Sequence, residues 1–584
     1  MKYIVIHPEI ISSCLMNSED ELFVLRGRCE YSSLCGDSSN KVKFIFDIDE
    51  FSNLKTKDRV YLDKTYESEL ESLSNTLNAY HEISLSKPNW EILIGPWLRV
   101  FIYVLYQKWL LINSIKDKNE YSLLSIKREF SQVIPNCFND FNDLIADHEW
   151  NDYMDSLIAT VLGMSVNHIS PKAKQGCKKI HKKKGDIPRI KKNYQKFVTS
   201  FFSKFSNRKT LVTGVAPLAL FSSLIILFFR TFPMVVKRKP LDCVKDTNLD
   251  ESFRVDNQTI LNTNKFQSFI RTAILLNIPR FYLEDYHTRV LSLKEMPVSE
   301  EVEYIFTSTS HWADEFFKLW LSINKTKNSK LIIFQHGGTY GTTKHLIHQE
   351  YVERKISDYY LTWGWREAGN KKIVPFISNL APLRVYYRFL KKNNNILIIS
   401  TRVKSASKGD PWDSSLWNED YIKNIIFITN RINDLFNNAG LVRLHPSQDI
   451  FGDEYFKYLN KKIANVRFDS EKNLDKSVFR AKLNIVTQNS TVLLKCLLWN
   501  LPVMCYWNET LNPLNNDAAE YFDLLKNAGI SYNSAKSLIE SVGDTDIDIW
   551  WNSDQVQSAR IKFCHEYINS SIDNIFSAMH VIKK

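Results

Sequence analysis

The sequence predicts an α/β protein of doubly wound parallel sheets in two domains facing a cleft, and three observations carry that prediction. From Arg208 onward, short apolar runs alternate with helical stretches of about 10–15 residues, the pattern of parallel βα units. The alternation comes as two series, with the polar stretch Lys391-Lys392-Asn393-Asn394 between them. The 584 residues are 44% hydrophobic, 13% aromatic and 24% charged, a folded composition with length for several domains.

The elements follow in order. In the first 60 residues, KYIVIH, ELFVLRG and KVKFIFDID read as strands at the edge of a domain. From about 61 to 193 the pattern turns helical and reads as a large helical insert. Its densest run is WEILIGPWLRVFIYVLYQKWLLINSI (90–115), where Gly95 and Pro96 mark the expected helix start. Residues 211–229 carry no charge over 19 positions, close to a bilayer span. Gly214, Pro217, Ser222 and Ser223 divide them instead into a buried strand, a turn and a helix. RKTLVTGV, EYIFTST (303–309), KLIIFQHGG (330–338) and SDYYLTWGW (357–365) are the strands of the first series, with a helix over 310–324. NILIISTR (395–402), GLVRLHP (440–446), KLNIVTQ (482–488) and LPVMCYW (501–507) are those of the second. Helices at 419–437, near 453–463 and from Ser490 lie between them. The expected domains are 1–390, containing the insert and a basic linker, and 391–584.

Seventeen glycines and seventeen prolines exclude fibrous and low-complexity classes. Nine cysteines without a C-x-x-C pair argue against a disulfide scaffold and a cysteine-built zinc site, and suit a reducing compartment. The start, MKYIVIHPEI, has no apolar core or cleavage site of a secretory signal. The net charge of +11 is uneven: residues 171–192 hold ten lysines and arginines against one aspartate. A single glycine-containing run is a solvated linker or a contact for an anionic membrane surface; it is not the basic folded face that nucleic acid requires.

Candidate chemistry sits at strand ends, where parallel sheets bind ligands. In the second series, Gln488, Asn489, Ser490 and Thr491 lead from a buried strand into a helix whose first N–H groups suit a phosphate. The plainer reading is an ordinary helix capped by Ser490 or Thr491. Arg443, His445 and Ser447 stand where Pro446 stops another strand, and Arg402 ends NILIISTR. No G-x-G-x-x-G and no Walker A sequence occurs, so dehydrogenase and P-loop readings lose their support. In the first series, His336, Gly337, Gly338, Tyr340 and Gly341 form a glycine-rich loop directly after a strand, an acceptor-side wall where backbone approaches ligand closely. His336, Glu350 and Asp358 are the candidate base or nucleophile, with Asp410 and Asp413 behind them. Each carboxylate also reads plainly as a solvated surface charge.

Taken together these residues resemble a bacterial family of surface-polysaccharide transferases whose members have no assigned reaction. Its relatives are the CMP-sugar-dependent Kdo and sialic-acid transferases and the CDP-glycerol transferases. The resemblance rests on W-x-I-L-I-G-P-W-L (Trp90, Ile92 to Leu98), Q-H-G-G-x-Y-G (Gln335 to Gly341), Glu350, Ser357-Asp358, T-W-G-W (Thr362 to Trp365), Arg402, His445-Pro446 and Q-N-S-T. It implies a GT-B fold, with the donor nucleotide on the C-terminal domain and the acceptor on the N-terminal one. It also implies that His445, Ser490 and Thr491 contact the donor phosphate, and that no metal or other cofactor is needed. One departure stands out: Lys495 occupies the helix position where many nucleotide-sugar transferases place a ribose-binding Glu.

The function expected on this basis is transfer of a sugar from a nucleotide donor, CMP-linked, to a saccharide or polyprenyl-linked acceptor. The setting is O-antigen or capsule biosynthesis, in the cytoplasm or at the inner face of its membrane through 171–192. The rivals are a CDP-polyol phosphotransferase, a non-catalytic membrane-associated scaffold and a membrane-anchored protein using 211–229.

Overall fold

The computed structural model describes residues 2–6, 21–26, 42–47, 54–116, 121–169, 206–215, 232–235, 248–256, 265–295, 302–380, 387, 389–401, 415–445, 452–510, 512–569 and 571–583. By internal contacts the chain divides into two compact units, Met1–Leu331 and Ile332–Lys584. Arg402, Asp410, Asp413, Pro446 and Ser447, the basic run 171–192 and residues 216–229 lie outside the described residues.

The first unit opens with a parallel sheet of strands β1 (Lys2–Val5), β2 (Glu21–Arg26), β3 (Val42–Asp47), β4 (Ser122–Ile126) and β5 (Val166–Ile169). Their order is β3-β2-β1-β4-β5, a doubly wound order that reverses at β1. Strands β4 and β5 fall inside the stretch whose helical periodicity predicts an insert. That stretch therefore completes a sheet begun by the first 47 residues. Helices α1 (Thr56–His81), α2 (Lys87–Ile115) and α3 (His148–Val161) come from the same stretch.

Helix α2 is buried around nearly its whole circumference from Trp90 to Leu105. It packs on α1, on α3, and on α4 (Phe266–Asn277) and α5 (Glu315–Asn324). Ser86 caps it by accepting a hydrogen bond from the Asn89 N–H. Pro96 therefore lies inside the helix and not at its start. The lost backbone hydrogen bond is tolerated because packing on all sides holds the segment. Gly95 leaves room for α1, since a Cβ there would sit 2.8 Å from the Tyr66 hydroxyl. Charges buried with α2 are paired: Lys108 Nζ lies 3.0 Å from Asp155 and Arg99 lies 2.9 Å from Asp63.

The unit also holds β6 (Ser206–Thr213), which pairs in parallel with β7 (Phe232–Val235) and β8 (Tyr304–Thr307). Leu211 and Val212 of β6 are fully buried, as the strand half of the 211–229 unit requires. Among the described residues, no helix is long and apolar enough to cross a membrane. The four described cysteines, Cys137, Cys496, Cys505 and Cys564, are free thiols.

The boundary between the units falls within strand β9 (Lys330–Phe334). In the second unit β10 (Tyr359–Thr362) pairs in parallel with β9 and with β11 (Ile373–Pro375). Helix α6 (His348–Ile356) connects β9 to β10. A five-stranded parallel sheet follows: β12 (Ile396–Ile399), β13 (Gly440–Arg443), β14 (Leu483–Val486), β15 (Val503–Tyr506) and β16 (Ser531–Tyr532). Its order is β13-β12-β14-β15-β16, the other common doubly wound order, with its reversal between β12 and β14. Helices α7 (Ser415–Leu435), α8 (Gly452–Lys462), α9 (Leu474–Arg480), α10 (Thr491–Trp499) and α11 (Asn516–Asn527) alternate with these strands. Among them, β12, β14 and β15 are buried at every position, as near-continuous apolar runs predict.

Candidate active site

The glycine loop after β9 is built by its own motif. Gln335 is buried, and its Oε1 accepts hydrogen bonds from the Trp363 N–H (2.9 Å) and the Trp365 indole N–H (2.8 Å). Its Nε2 donates to the Gly337 carbonyl at 2.8 Å. One side chain thus ties the loop to the end of β10. Gly341 has φ +74°, and a Cβ there would overlap the Trp365 ring. Asn515, the N-cap of α11, donates to the Gly341 carbonyl at 2.8 Å and braces the loop from below.

Helix α6 supplies three charged groups to this loop. Glu350 is fully buried; its Oε1 accepts the Gly341 N–H at 3.0 Å, and its Oε2 is a buried oxygen with no hydrogen-bond partner. Burial pushes its carboxyl up to about 7, against the Arg354 charge 3.6 Å away and the Gly341 N–H. Glu353 is also fully buried and lies 3.3 Å from His336 Nδ1. The Tyr360 hydroxyl donates to its other oxygen at 3.0 Å. Burial raises the Glu353 carboxyl to about 8, with His336 and the Tyr360 hydrogen bond pulling it back. The far nitrogen of His336, Nε2, meets the Tyr340 hydroxyl at 3.3 Å. Tyr360, Glu353, His336 and Tyr340 therefore form a row from the interior to the loop.

The rim of the last sheet comes next. Ile399, Arg443 and Val486 stand in register, so Thr401, His445 and Gln488 each lie two residues beyond that row. The Tyr421 hydroxyl accepts the Thr401 N–H at 2.7 Å and shares a hydrogen bond with Thr487 at 2.7 Å, tying the ends of β12 and β14. Asn489 is fully buried and its amide donates to the Thr342 hydroxyl at 3.0 Å, leaving Oδ1 without a partner. The Gly338 N–H donates to Thr491 Oγ1 at 3.0 Å. These two bonds bring the glycine loop and the start of α10 together. A Cβ on Gly338 would stand 2.6 Å from the Thr491 backbone nitrogen, so only glycine fits there. Ser490 holds the N-cap position in extended backbone, but its side chain makes no capping bond. Its hydroxyl is left for other use.

The structure thus gathers His336, Gly337, Gly338, Tyr340, Gly341 and Glu350 with Asn489, Ser490 and Thr491. His445 and Gln488 stand on the same sheet rim. Two candidates stand elsewhere. Asp358 precedes β10 at the level of Leu331, five positions from the level of His336, roughly 17 Å along the sheet. Arg443 turns to Asp469 (2.5 Å), the Glu471 carbonyl (2.7 Å) and Ser477 (3.3 Å), which neutralise and fix it. Lys495 is likewise committed, to Asp475 at 2.5 Å. Glu353 is the residue the sequence reading passes over. Its signal is spacing, since it lies three residues after Glu350 and shares its helix face. Among the described residues, no cluster of His, Cys, Asp and Glu could hold a metal ion.

The family model described as LIC12162 family transferase matches residues 22–580. No curated protein matches the sequence. Among solved structures, the chain is similar to WaaG, a glycosyltransferase involved in lipopolysaccharide biosynthesis. That likeness has 13% identity and a TM-score of 0.29, over 68% of this chain and 96% of that one. It is similar to MurG of Acinetobacter baumannii at 10% identity and a TM-score of 0.30, over 64% of this chain and 98% of that one. It is also similar to UDP-GlcNAc 2-epimerase of Methanocaldococcus jannaschii at 11% identity and a TM-score of 0.32, over 60% and 97% respectively.

Proposed function

Because the chain belongs to the LIC12162 family of transferases, we propose that the group it transfers is a sugar, carried by a nucleotide donor. The observation that supports this reading is the buried Glu353 carboxyl 3.3 Å from His336 Nδ1, on a glycine loop hydrogen-bonded to the start of α10. A carboxylate behind an imidazole favours its protonated form and makes Nε2 a base. In the transfer step, Nε2 takes the proton of an acceptor hydroxyl, whose oxygen bonds to the anomeric carbon. The bond from that carbon to the donor phosphate breaks, and its electron pair leaves on the phosphate. The first N–H groups of α10, the Ser490 hydroxyl and His445 stabilise that departing charge. Tyr340 gives up its place at Nε2 to the acceptor.

A CMP-linked donor and a saccharide or polyprenyl-linked acceptor of surface-polymer assembly are the substrates we assign. With a single phosphate in the leaving group, one helix N-terminus and one histidine suffice, and the step needs no metal. The basic run 171–192 would bring the protein to an anionic membrane surface carrying such an acceptor.

Thermal-shift titration with CMP, CDP, UDP, GDP and dTDP tests the donor assignment. CMP should stabilise the protein, by roughly 2.7 kcal/mol at about a hundredfold excess over its dissociation constant. His336→Ala and Glu353→Gln should still bind CMP, yet lose about 10²–10⁴-fold in transfer. Wild-type transfer rates in both variants would defeat the assignment of the base. A phosphodiester in the product would favour polyol-phosphate transfer instead.

A further inference from the structure

The row Tyr360–Glu353–His336–Tyr340 ends inside the fold on a phenol that the transfer step does not itself use. Tyr360 is fully buried in β10, where its register partner on β9 is Ile333, three residues before His336. Its hydroxyl donates to Glu353 Oε2 at 3.0 Å, while Oε1 of the same carboxyl stands 3.3 Å from His336 Nδ1. Burial pushes the Tyr360 hydroxyl well above the usual phenol range, so it keeps its proton and remains a donor. The neighbouring groups are engaged differently. Gln349, one turn earlier on α6, also hydrogen-bonds to the Glu353 carboxyl, but it is part-exposed and can turn to solvent. Glu350 faces the Gly341 N–H and Arg354, and Arg354 reaches on to Glu367. Tyr340 meets the opposite nitrogen of the imidazole, Nε2, at 3.3 Å.

Two proton arrangements fit this row. With Glu353 ionised, Oε1 is only an acceptor; the neutral ring then carries its proton on Nδ1, and the Tyr340 hydroxyl donates to Nε2. With Glu353 protonated on Oε1, the carboxyl donates to Nδ1 and the ring carries its proton on Nε2. In that second state Nε2 already holds a proton and cannot take one from an acceptor hydroxyl. Passing from the second state to the first releases one proton to solvent, from the carboxyl, while the ring keeps one throughout. A donor on Oε2 favours the carboxylate, and so favours the first state.

We propose that Tyr360 is a positioning residue: by donating to Glu353 from the interior, it holds the His336 proton on Nδ1 and leaves Nε2 open. That an acceptor hydroxyl then uses Nε2 rests on the reading of sugar transfer. The choice of tautomer stands on the hydrogen-bond row alone. Tyr360 touches neither substrate, so it acts through two other side chains on the nitrogen that does.

The test uses the full chain with isotope-labelled histidine and no substrate, followed by NMR of the ring nitrogens, whose shifts tell a protonated nitrogen from a bare one. His336→Ala assigns the signal by removing it. The wild-type ring should pass from Nε2–H to Nδ1–H as pH rises through about 8, where Glu353 releases its proton. Tyr360→Phe should move that change upward by about one to two pH units, the worth of a hydrogen bond to a charged group. Raising the pH further should restore the wild-type tautomer, which it would not do for damaged packing. Tyr360 replaced by 3-fluorotyrosine, a stronger donor of nearly the same shape, should move the change downward. That variant decides the matter where Tyr360→Phe fails to fold. Glu350→Gln should retain the change and Glu353→Gln should abolish it. A change that neither Tyr360 variant moves overturns the proposal. So does one that follows Gln349→Leu instead, or that survives Glu353→Gln. Because no substrate is present, these results hold whether or not a sugar is transferred. Transfer that survives His336→Ala would remove the base from the transfer reading and leave the tautomer assignment standing.

Discussion

At the scale of single residues, the proposed chemistry depends on which proton Glu353 holds. Its carboxyl is raised to about 8 by burial, so below that pH it is protonated and supports His336 poorly as a base. Transfer should therefore rise with pH through about 8 and level off above it. Glu353→Gln should flatten that limb and leave a low, pH-independent rate; a steady-state pH profile of both proteins decides it. An unchanged limb in Glu353→Gln would assign the titration elsewhere. The sequence shows His336, the glycines and Glu350 as candidates because their types are conspicuous after a strand. It does not show Glu353, which reads as one more charge on an amphipathic helix until the fold removes all its solvent. Arg443 fails in the opposite sense. Its alternation along β13 is legible, but its partner Asp469 is 26 residues away and no local pattern reveals it.

At the scale of elements, strands β8 to β10 and β12 to β15 lie where alternating apolar runs place them, since largely buried parallel strands leave an apolar signature, whereas the three-residue β11 is too short to leave one. Strands β4 and β5 escape because SLLSI and VNHI are short and sit among dense helical apolar positions. The most informative joint is that between the 335–342 loop and α10, made by Gly338. Gly338→Ala would drive a methyl group against backbone, which cannot rotate away as a side chain could. The expected cost is about 1–3 kcal/mol, with loss of nucleotide binding as the loop leaves Thr491. Gly369→Ala is the matched control: its φ is +79° but its surroundings are open, so only backbone strain of roughly 1 kcal/mol applies. Denaturant melts of both, with CMP titration, separate the two effects. Equal costs with intact CMP binding in Gly338→Ala would mean the joint does not shape the site.

At the scale of the whole molecule, buried ionisable groups set how stability follows pH, and they act in opposite directions. His81 and His311 are driven down to about 4 and about 3 by burial. Below the unfolded histidine value of about 6.5, the unfolded chain binds protons that these two cannot, so acid lowers stability there. Asp152, Glu350 and Glu353 are driven up to about 6, 7 and 8. Between the unfolded carboxyl values near 4 and those folded ones, the native chain keeps protons the unfolded chain has released, so stability falls as pH rises. The two effects nearly offset between about 4.5 and 6. Above about 6.5 the histidines no longer contribute and only Glu350 and Glu353 remain. The protein should therefore lose thermal stability between pH 6.5 and 8, by about 2–4 °C for each kcal/mol lost. Glu350→Gln and Glu353→Gln together should abolish that decline and raise the melting temperature at pH 8. The same window is where transfer should accelerate, so the carboxyl whose ionisation enables the base also weakens the fold around it. A double variant that melts with the wild-type pH slope would show that these carboxyls are already ionised at neutral pH, and the opposition between stability and turnover would have no source in helix α6.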